Sequence, residues 1–562
     1  MSRRWLLAVV VAALVMAVAA PGVSAVPAGG STSADGMCRS KVFIRGAAIH
    51  GANGLAVDAS GRLLVASVFG GEIVALSART GRILERLGHE TGVDGPDDVA
   101  VGPDGSIYWT DILTGEVGRL APDGVVTKQL VAPGMNPIAF TADGRLFVGQ
   151  AFFGDGLYEI NPDLTGAPRV VIPDSGVPPF LGQLNGFDFG PDGMLYSPQP
   201  FLGKIVRIDP ETGAMTELPV ALPDLPTSVE FDSQGRLHAS LSGGIVVRVD
   251  TQTGAHRVLA EIRDAVLDNM VFDAAGRLFV SDSDEGAIYE VAPGGGVRTL
   301  VHGGLILPGG VAVMERDHQE SLFVANLWGL AEFSARSGHL LDVDRQLRAG
   351  GGIVEPWTVA VDDGNVIVTS WMSNAVQIWD PTSEMAVETH TDFAVPLNAI
   401  RFRGDLVAAE LGTGSVVAKS GAGTKSVIAE GLFVPAGLAA TDDDLWVADW
   451  ATGIVWKIVA DGVRLLPPQF LAGDLSFPEG MAVDRDGTLL VVEAGTGRLL
   501  RIDPVTGAAT TVADGLGLGA QGSSAAPPTW AMSSVAVGRN GVIFVTGDRA
   551  DVVYRLFCLP AS

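Results

Sequence analysis

Residues 479–491 read Glu479-Gly480-Met481-Ala482-Val483-Asp484-Arg485-Asp486-Gly487-Thr488-Leu489-Leu490-Val491. A polar residue and a glycine open the stretch, an apolar alternation follows, Asp486-Gly487 breaks it, and a second apolar run begins. Period-two alternation interrupted by Asp-Gly is the pattern of a β-hairpin. The phrase recurs at Asn53-Gly54-Leu55-Ala56-Val57-Asp58, turning at Ser60-Gly61, and at Asp268-Asn269-Met270-Val271-Phe272-Asp273, turning at Ala275-Gly276. It starts near residues 53, 97, 136, 185, 227, 268, 309, 357, 398, 436, 479 and 533, at spacings of 38 to 54 residues.

Each copy continues with a third strand, as in Ile454-Val455-Trp456-Lys457-Ile458 after Thr452-Gly453, and a fourth, as in Val297-Arg298-Thr299-Leu300-Val301. A four-stranded unit of this length is a propeller blade, because radial repetition hides sheet edges that would otherwise stand open. The chain of 562 residues also exceeds what one hydrophobic core organises. The reading is therefore all-β: a tandem β-propeller of twelve four-stranded blades, arranged as two six-bladed rings. A single twelve-bladed ring, or a seven-plus-five division, would use the same strands.

The chain ends suggest how the ring is closed. Lys41-Val42-Phe43-Ile44 precedes the first blade and occupies the place of a fourth strand, while the last blade has three strands and stops. The N-terminal strand is thus predicted to complete the last blade. Cys38 and Cys558, the chain's two cysteines, stand beside these strands and are predicted to form a disulfide; two free thiols are the alternative. Residues 1–25 read as a signal peptide, with Arg3 and Arg4, an apolar run Trp5 to Ala20, and a Val23-Ser24-Ala25 cleavage site after Ala25. The general secretory and twin-arginine routes both fit it. The division expected is 1–25 signal peptide, 26–46 segment with the closing strand, 47–303 first propeller and 304–562 second propeller. A secreted or extracytoplasmic monomer follows, since no later stretch is long and apolar enough to span a bilayer.

A formal net charge of −27 makes nucleic acid a poor partner and also favours solubility. In a propeller the innermost strand of each blade runs along the central axis, so its first residue faces the channel mouth. That column reads Asn53, Asp97, Asn136, Asn185, Thr227 and Asp268 in the first ring, then Gly309, Trp357, Asn398, Ala436, Glu479 and Ser533 in the second. Carboxylate and amide oxygens converging on one point suit a hard cation, and calcium accepts six to eight oxygen ligands in loose geometry. The predicted metal ligands are Asn53, Asp97, Asn136, Asn185 and Asp268, with Asp268 or Asp97 as catalytic base. A water-filled polar channel is the alternative. At the second mouth, Trp357, Asn398 and Glu479 are singled out, Trp357 as a surface on which a sugar or ring could stack.

The blade openings, such as Phe477-Pro478-Glu479-Gly480, resemble those of NHL-repeat propellers and of the senescence marker protein/gluconolactonase superfamily, often called SMP-30-like. Tyr108-Trp109-Thr110-Asp111 is similar to the YWTD receptor-type blade. The resemblance covers roughly residues 40 to 558. It implies metal ligands at the residue before the glycine, typically a Glu, Asn residues and an Asp, and a lactone-hydrolysing activity. Asn53-Gly54 and Asn185-Gly186 match that form; Asp97-Asp98 and Asp268-Asn269 keep the acid without the glycine, and no Glu stands in the first-ring column. The functional expectation is a calcium-dependent hydrolase acting on a small ester or lactone at the first ring's mouth. Its alternative is a non-catalytic scaffold that binds an extracellular protein or glycan. Propellers of the virginiamycin-inactivating lyase type use paired histidines and a Glu, which His238 alone does not reproduce. Gly517 to Gly522 lacks the strand-to-helix context of a dinucleotide site, and the loop 514–530 reads as a surface insertion or a lid over the second ring.

Overall fold

The computed structural model describes residues 38–178, 180–316, 318–346, 352–520 and 531–558. The expected signal peptide, and residues 521–530 of the long loop, lie outside that set. The described residues form twelve four-stranded antiparallel sheets, and their only helices are single 3₁₀ turns.

The hairpins follow from their turn residues. In blade one, Ala52–Val57 pairs with Arg62–Ser67. Gly61 between them adopts φ +79°, a conformation that side chains resist. Asp58 Oδ1 accepts the amide N–H groups of Ser60 and Arg62, and Arg62 Nε donates to Asp58 Oδ2 at 2.6 Å. Asp273 and Arg277 repeat this arrangement in blade six. At the Asp-Gly turns, Asp104, Asp192 and Asp486 likewise cap an amide two residues ahead, so these carboxylates serve turns rather than ions.

The described residues divide into two compact units, one spanning Ala47–Gly304 and the other holding residues 38–46 together with the described residues from Leu305 onward. In the first, the innermost strands are Ala52–Val57, Pro96–Val101, Met135–Phe140, Asp188–Phe189, Pro226–Phe231 and Leu267–Phe272. Each touches the next, and the sixth touches the first, so six blades close a ring. In the second unit, Pro308–Arg316, Thr358–Asp362, Pro396–Phe402, Pro435–Ala440, Pro478–Val483 and Val535–Val537 do the same.

The second ring closes as the sequence indicated. The last sheet runs Val535–Val537, Ile543–Gly547, Val552–Phe557 and then Arg39–Ile44, with Arg39 opposite Phe557. Cys38 and Cys558 form a disulfide beside that pair. At the inner end, the Thr546 hydroxyl donates to the Gly309 carbonyl, tying blade twelve to blade seven. A disulfide of this kind fits an oxidising compartment outside the cytoplasm. Among the described residues, no helix is long and apolar enough to cross a membrane.

The blades cohere through apolar layers between neighbouring sheets. Trp109 of blade two packs with Ala56 and Leu64 of blade one, and Trp446 of blade ten with Met481 and Val491 of blade eleven. Fully burying one such Leu or Val stabilises by roughly 1.5–3 kcal/mol, so these layers are the main cohesive term. The glycine of the repeated phrase has a packing reason. A Cβ on Gly480 would lie 2.5 Å from the Ser534 Cα, and one on Gly54 would collide with the Asp98 backbone.

Candidate functional site

The innermost strands of the first ring bring most of the predicted column together. Asn53 Nδ2 donates to Asp97 Oδ1 at 3.2 Å, and Asn269 Nδ2 donates to Asn53 Oδ1 at 2.9 Å. Blades six, one and two are thereby linked through one amide. The Asn185 amide group lies against the Asp268 carboxylate although blades four and six are not neighbours, which places both side chains on the axis. Asp97 and Asp268 also interact electrostatically.

Three oxygens of this group are buried without a hydrogen-bond partner: Asp97 Oδ2, Asn136 Oδ1 and Asn185 Oδ1. Leaving such an atom unpaired costs about 1–3 kcal/mol, more for a charged group. Asp97 and Asn136 are each 3 % exposed, whereas Asp268 keeps part of its surface open to solvent. Burial, reinforced by the negative charges of Asp268, Asp98 and Asp111, pushes the Asp97 carboxyl well above the ordinary range. Burial and Asp284 raise Asp268 to about 6, against the opposing hydrogen bonds of Asn185 and Ser283.

Thr227 departs from the column. Its hydroxyl lies 2.8 Å from Ser240 Oγ in its own blade and does not reach the group. Asn53 is engaged on both sides of its amide, which makes it a strut between Asp97 and Asn269.

Three acids that the column reading passed over line the same channel. Asp98 Oδ2 accepts the Ile138 amide at 3.1 Å, Asp188 Oδ2 accepts the Phe231 amide at 2.8 Å, and the Glu230 carboxylate takes the Phe272 amide. Each staples one innermost strand to the next. Glu230 also feels Asp98, although blades five and two stand on opposite sides of the ring. Burial holds Asp98 at about 7 and Asp188 at about 6, and burial with the Asp188 charge lifts Glu230 well above its usual range. Among the described residues, no Lys, Arg or His is hydrogen-bonded to any of these acids.

The oxygen set suits a hard cation: carboxylate and amide donors, three of their oxygens unpaired, with no competing positive charge. Only Asp97 and Asp268 in it are carboxylates. Among the described residues, no three His, Cys, Asp or Glu side chains stand in metal-holding geometry, so amide oxygens must complete any coordination.

The second ring's mouth is different in kind. Trp357 is 2 % exposed and packs on Trp371 at 5.3 Å, so its ring is covered rather than offered to a ligand. Trp371 and Trp450 are the partly exposed indoles there, packed against Leu397, Val434, Ala436 and Met532. Glu479 is fully buried, with Oε2 accepting the Ser533 amide at 2.8 Å, and the Ser533 hydroxyl donates to Asp548 at 2.7 Å. His238 is a core residue of blade five, edge-on to Phe272 at 5.0 Å.

No protein-family model matches the chain, and no curated protein matches it. Solved structures similar to it include a virginiamycin B lyase from Staphylococcus aureus, 16% identical over 51% of this chain and 96% of that one, with a TM-score of 0.37. A gluconolactonase from Xanthomonas campestris is 17% identical over 47% of this chain and 90% of its own, at 0.36. An extracellular domain from B. thetaiotaomicron, ascribed to a one component system, is 12% identical over 92% of this chain and 82% of its own, at 0.32. The twelve-blade description rests on strand pairing and not on these likenesses.

Proposed function

We propose that the protein is an exported calcium-dependent hydrolase of the lactonase or esterase type, with its active centre on the axis of the first ring. The observation that carries this reading is the trio of buried, unpartnered oxygens at equivalent positions of the first ring, Asp97 Oδ2, Asn136 Oδ1 and Asn185 Oδ1, with Asn185 and Asp97 both interacting with Asp268. Asp97, Asn136, Asn185 and Asp268 would hold the ion, and Asn53 fixes the Asp97 carboxylate in place. A bound calcium would supply Lewis acidity toward a substrate carbonyl. Asp268, partly exposed to solvent, is placed to take a proton from an attacking water. Asn185 and Ser283 hold that carboxylate in orientation by hydrogen bonds.

A second reading, a non-catalytic scaffold for an extracellular protein or glycan, is favoured by one observation. Val463, Leu466 and Phe470 stand exposed along a single outer strand, Val463–Ala472. The experiment is thermal melting with and without calcium, alongside a panel of lactones and esters. A hundredfold excess over Kd adds about 2.7 kcal/mol, or roughly 5–10 °C for a ring of this size. Asp268→Ala should abolish the rise and the turnover. Absence of any rise in the wild type removes the metal, and a rise without turnover leaves the scaffold reading.

A further inference from the structure

On the mouth side of each first-ring blade, the chain turns from the second strand into the third. In blade three the second strand ends at Gln150, opposite Met135 and next to Asn136, and the turn carries Phe152 and Phe153. In blade four the Pro198 carbonyl accepts the Asn185 amide, and the turn after Gln199 carries Phe201 and Leu202. The same turn in blade six carries Ser283, which hydrogen-bonds to Asp268, and Asp284, whose charge acts on it. These turns therefore stand beside the axial group. Blade six presents polar side chains there, and blades three and four present aromatic and aliphatic ones.

The apolar side chains form one patch. Phe152 and Phe201 meet edge to face at 6.1 Å. The segment entering blade four lies between the two turns: Gln183 Oε1 accepts the Phe152 amide, and Gln199 Nε2 donates to the Gly182 carbonyl at 2.8 Å. That segment adds Leu181. Phe152, Phe153, Leu181 and Leu202 remain 38–49 % exposed. Phe152 takes φ +59°, a conformation that side chains disfavour, and the buried Gln183 holds it there. Bulky apolar groups kept open to water by buried hydrogen bonds mark a binding surface. A net charge of −27 works against an anionic lipid surface, so the occupant the patch fits is the ligand of the centre beside it.

We infer that the substrate of the first-ring centre is an ester or lactone bearing an apolar chain, seated on Phe152, Phe153, Leu181, Phe201 and Leu202 with its carbonyl toward Asp268. This substrate class rests on the hydrolase reading given above. Short or polyhydroxylated substrates leave the patch uncovered and gain nothing from it.

The test compares kcat/KM of the full chain, in calcium, for γ-decalactone against γ-valerolactone and for ethyl hexanoate against ethyl acetate. A half-buried methylene corresponds to about a twofold gain, so the longer member of a pair should be favoured by about tenfold or more. The double variant Phe152→Asn/Leu202→Ser, with Asn chosen to tolerate the positive φ, should cut that preference to about threefold or less. Its calcium-dependent rise in melting temperature should persist, which reports an intact ring. Turnover without a length preference, or a preference unchanged in the variant, would overturn the inference and leave the hydrolase reading standing. No turnover of any of the four removes the hydrolase reading and the substrate class with it. Sedimentation of the wild type with phosphatidylcholine vesicles, lost in the variant, would assign the patch to a lipid surface and overturn the inference. Should the variant fail to fold, the wild-type comparison of long and short members still decides.

Discussion

Replacing both Cys38 and Cys558 by serine should loosen the second ring and spare the first. The bond joins positions separated by 520 residues, and in the chain-entropy model a loop of that length corresponds to about 6 kcal/mol at 25 °C. If the first ring stays folded while the second opens, the effective loop is roughly halved, which lowers the figure by only about 0.6 kcal/mol. Measured disulfides fall below the ideal value, so about 3–5 kcal/mol is expected. For a ring of this size that corresponds to a melting temperature roughly 10 °C lower. Both cysteines belong to the second unit, as do the strands Arg39–Ile44 and Val552–Phe557 that they flank. Hydrogen exchange followed peptide by peptide, together with scanning calorimetry, separates the two rings. Peptides from 305–558 should lose protection in the double variant while those from 47–304 keep theirs. Equal loss in both rings, or no loss in either, would refute the idea that the N-terminal strand is the clasp of the second ring.

Gly480→Ala should destabilise the second ring by about 3 kcal/mol or more, because the new methyl meets the Ser534 Cα, whereas Gly487→Ala meets nothing and should cost only the strain of its positive φ, about 1–2 kcal/mol; chemical denaturation distinguishes them. The first ring should also respond to pH. Asp98 sits at about 7 against an ordinary 3.8, so the folded state binds the extra proton, and its stabilising contribution is present below pH 4 and lost as pH rises through 7. The shift sets an upper limit of about 4 kcal/mol. Without divalent ions, first-ring peptides should therefore show lower protection factors, corrected for the base-catalysed intrinsic exchange rate, at pH 8 than at pH 5, by a margin that shrinks in Asp98→Asn; a margin unchanged in that variant would contradict the assignment.

The architecture was legible because alternation, turn glycines and the repeated phrase all report on backbone geometry that each blade needs locally. Ring closure was legible from an unpaired strand at one end and a missing strand at the other. The register that the repeat predicts does bring Asn53 onto Asp97 and Asn185 onto Asp268. Side-chain reach was not legible. Thr227 bonds within its own blade because Ser240 stands close enough to capture its hydroxyl. Trp357 is covered by Trp371, a neighbour that the column could not display. Asp188 and Glu230 did leave a signal. They stand three residues past the column, where blades one to three carry Ala56, Ala100 and Ala139, and a lone acid at an alanine position within an apolar alternation marks a buried contact.

The cation on the first axis is the claim on which the functional account turns, and a crystal soaked in calcium tests it most directly. The account predicts density at about 2.3–2.6 Å from Asp97 Oδ2, Asn136 Oδ1, Asn185 Oδ1 and the Asp268 carboxylate. Density at hydrogen-bond distances instead, about 2.7–3.0 Å and unaffected by withholding calcium, would mean that waters satisfy those oxygens and would contradict it.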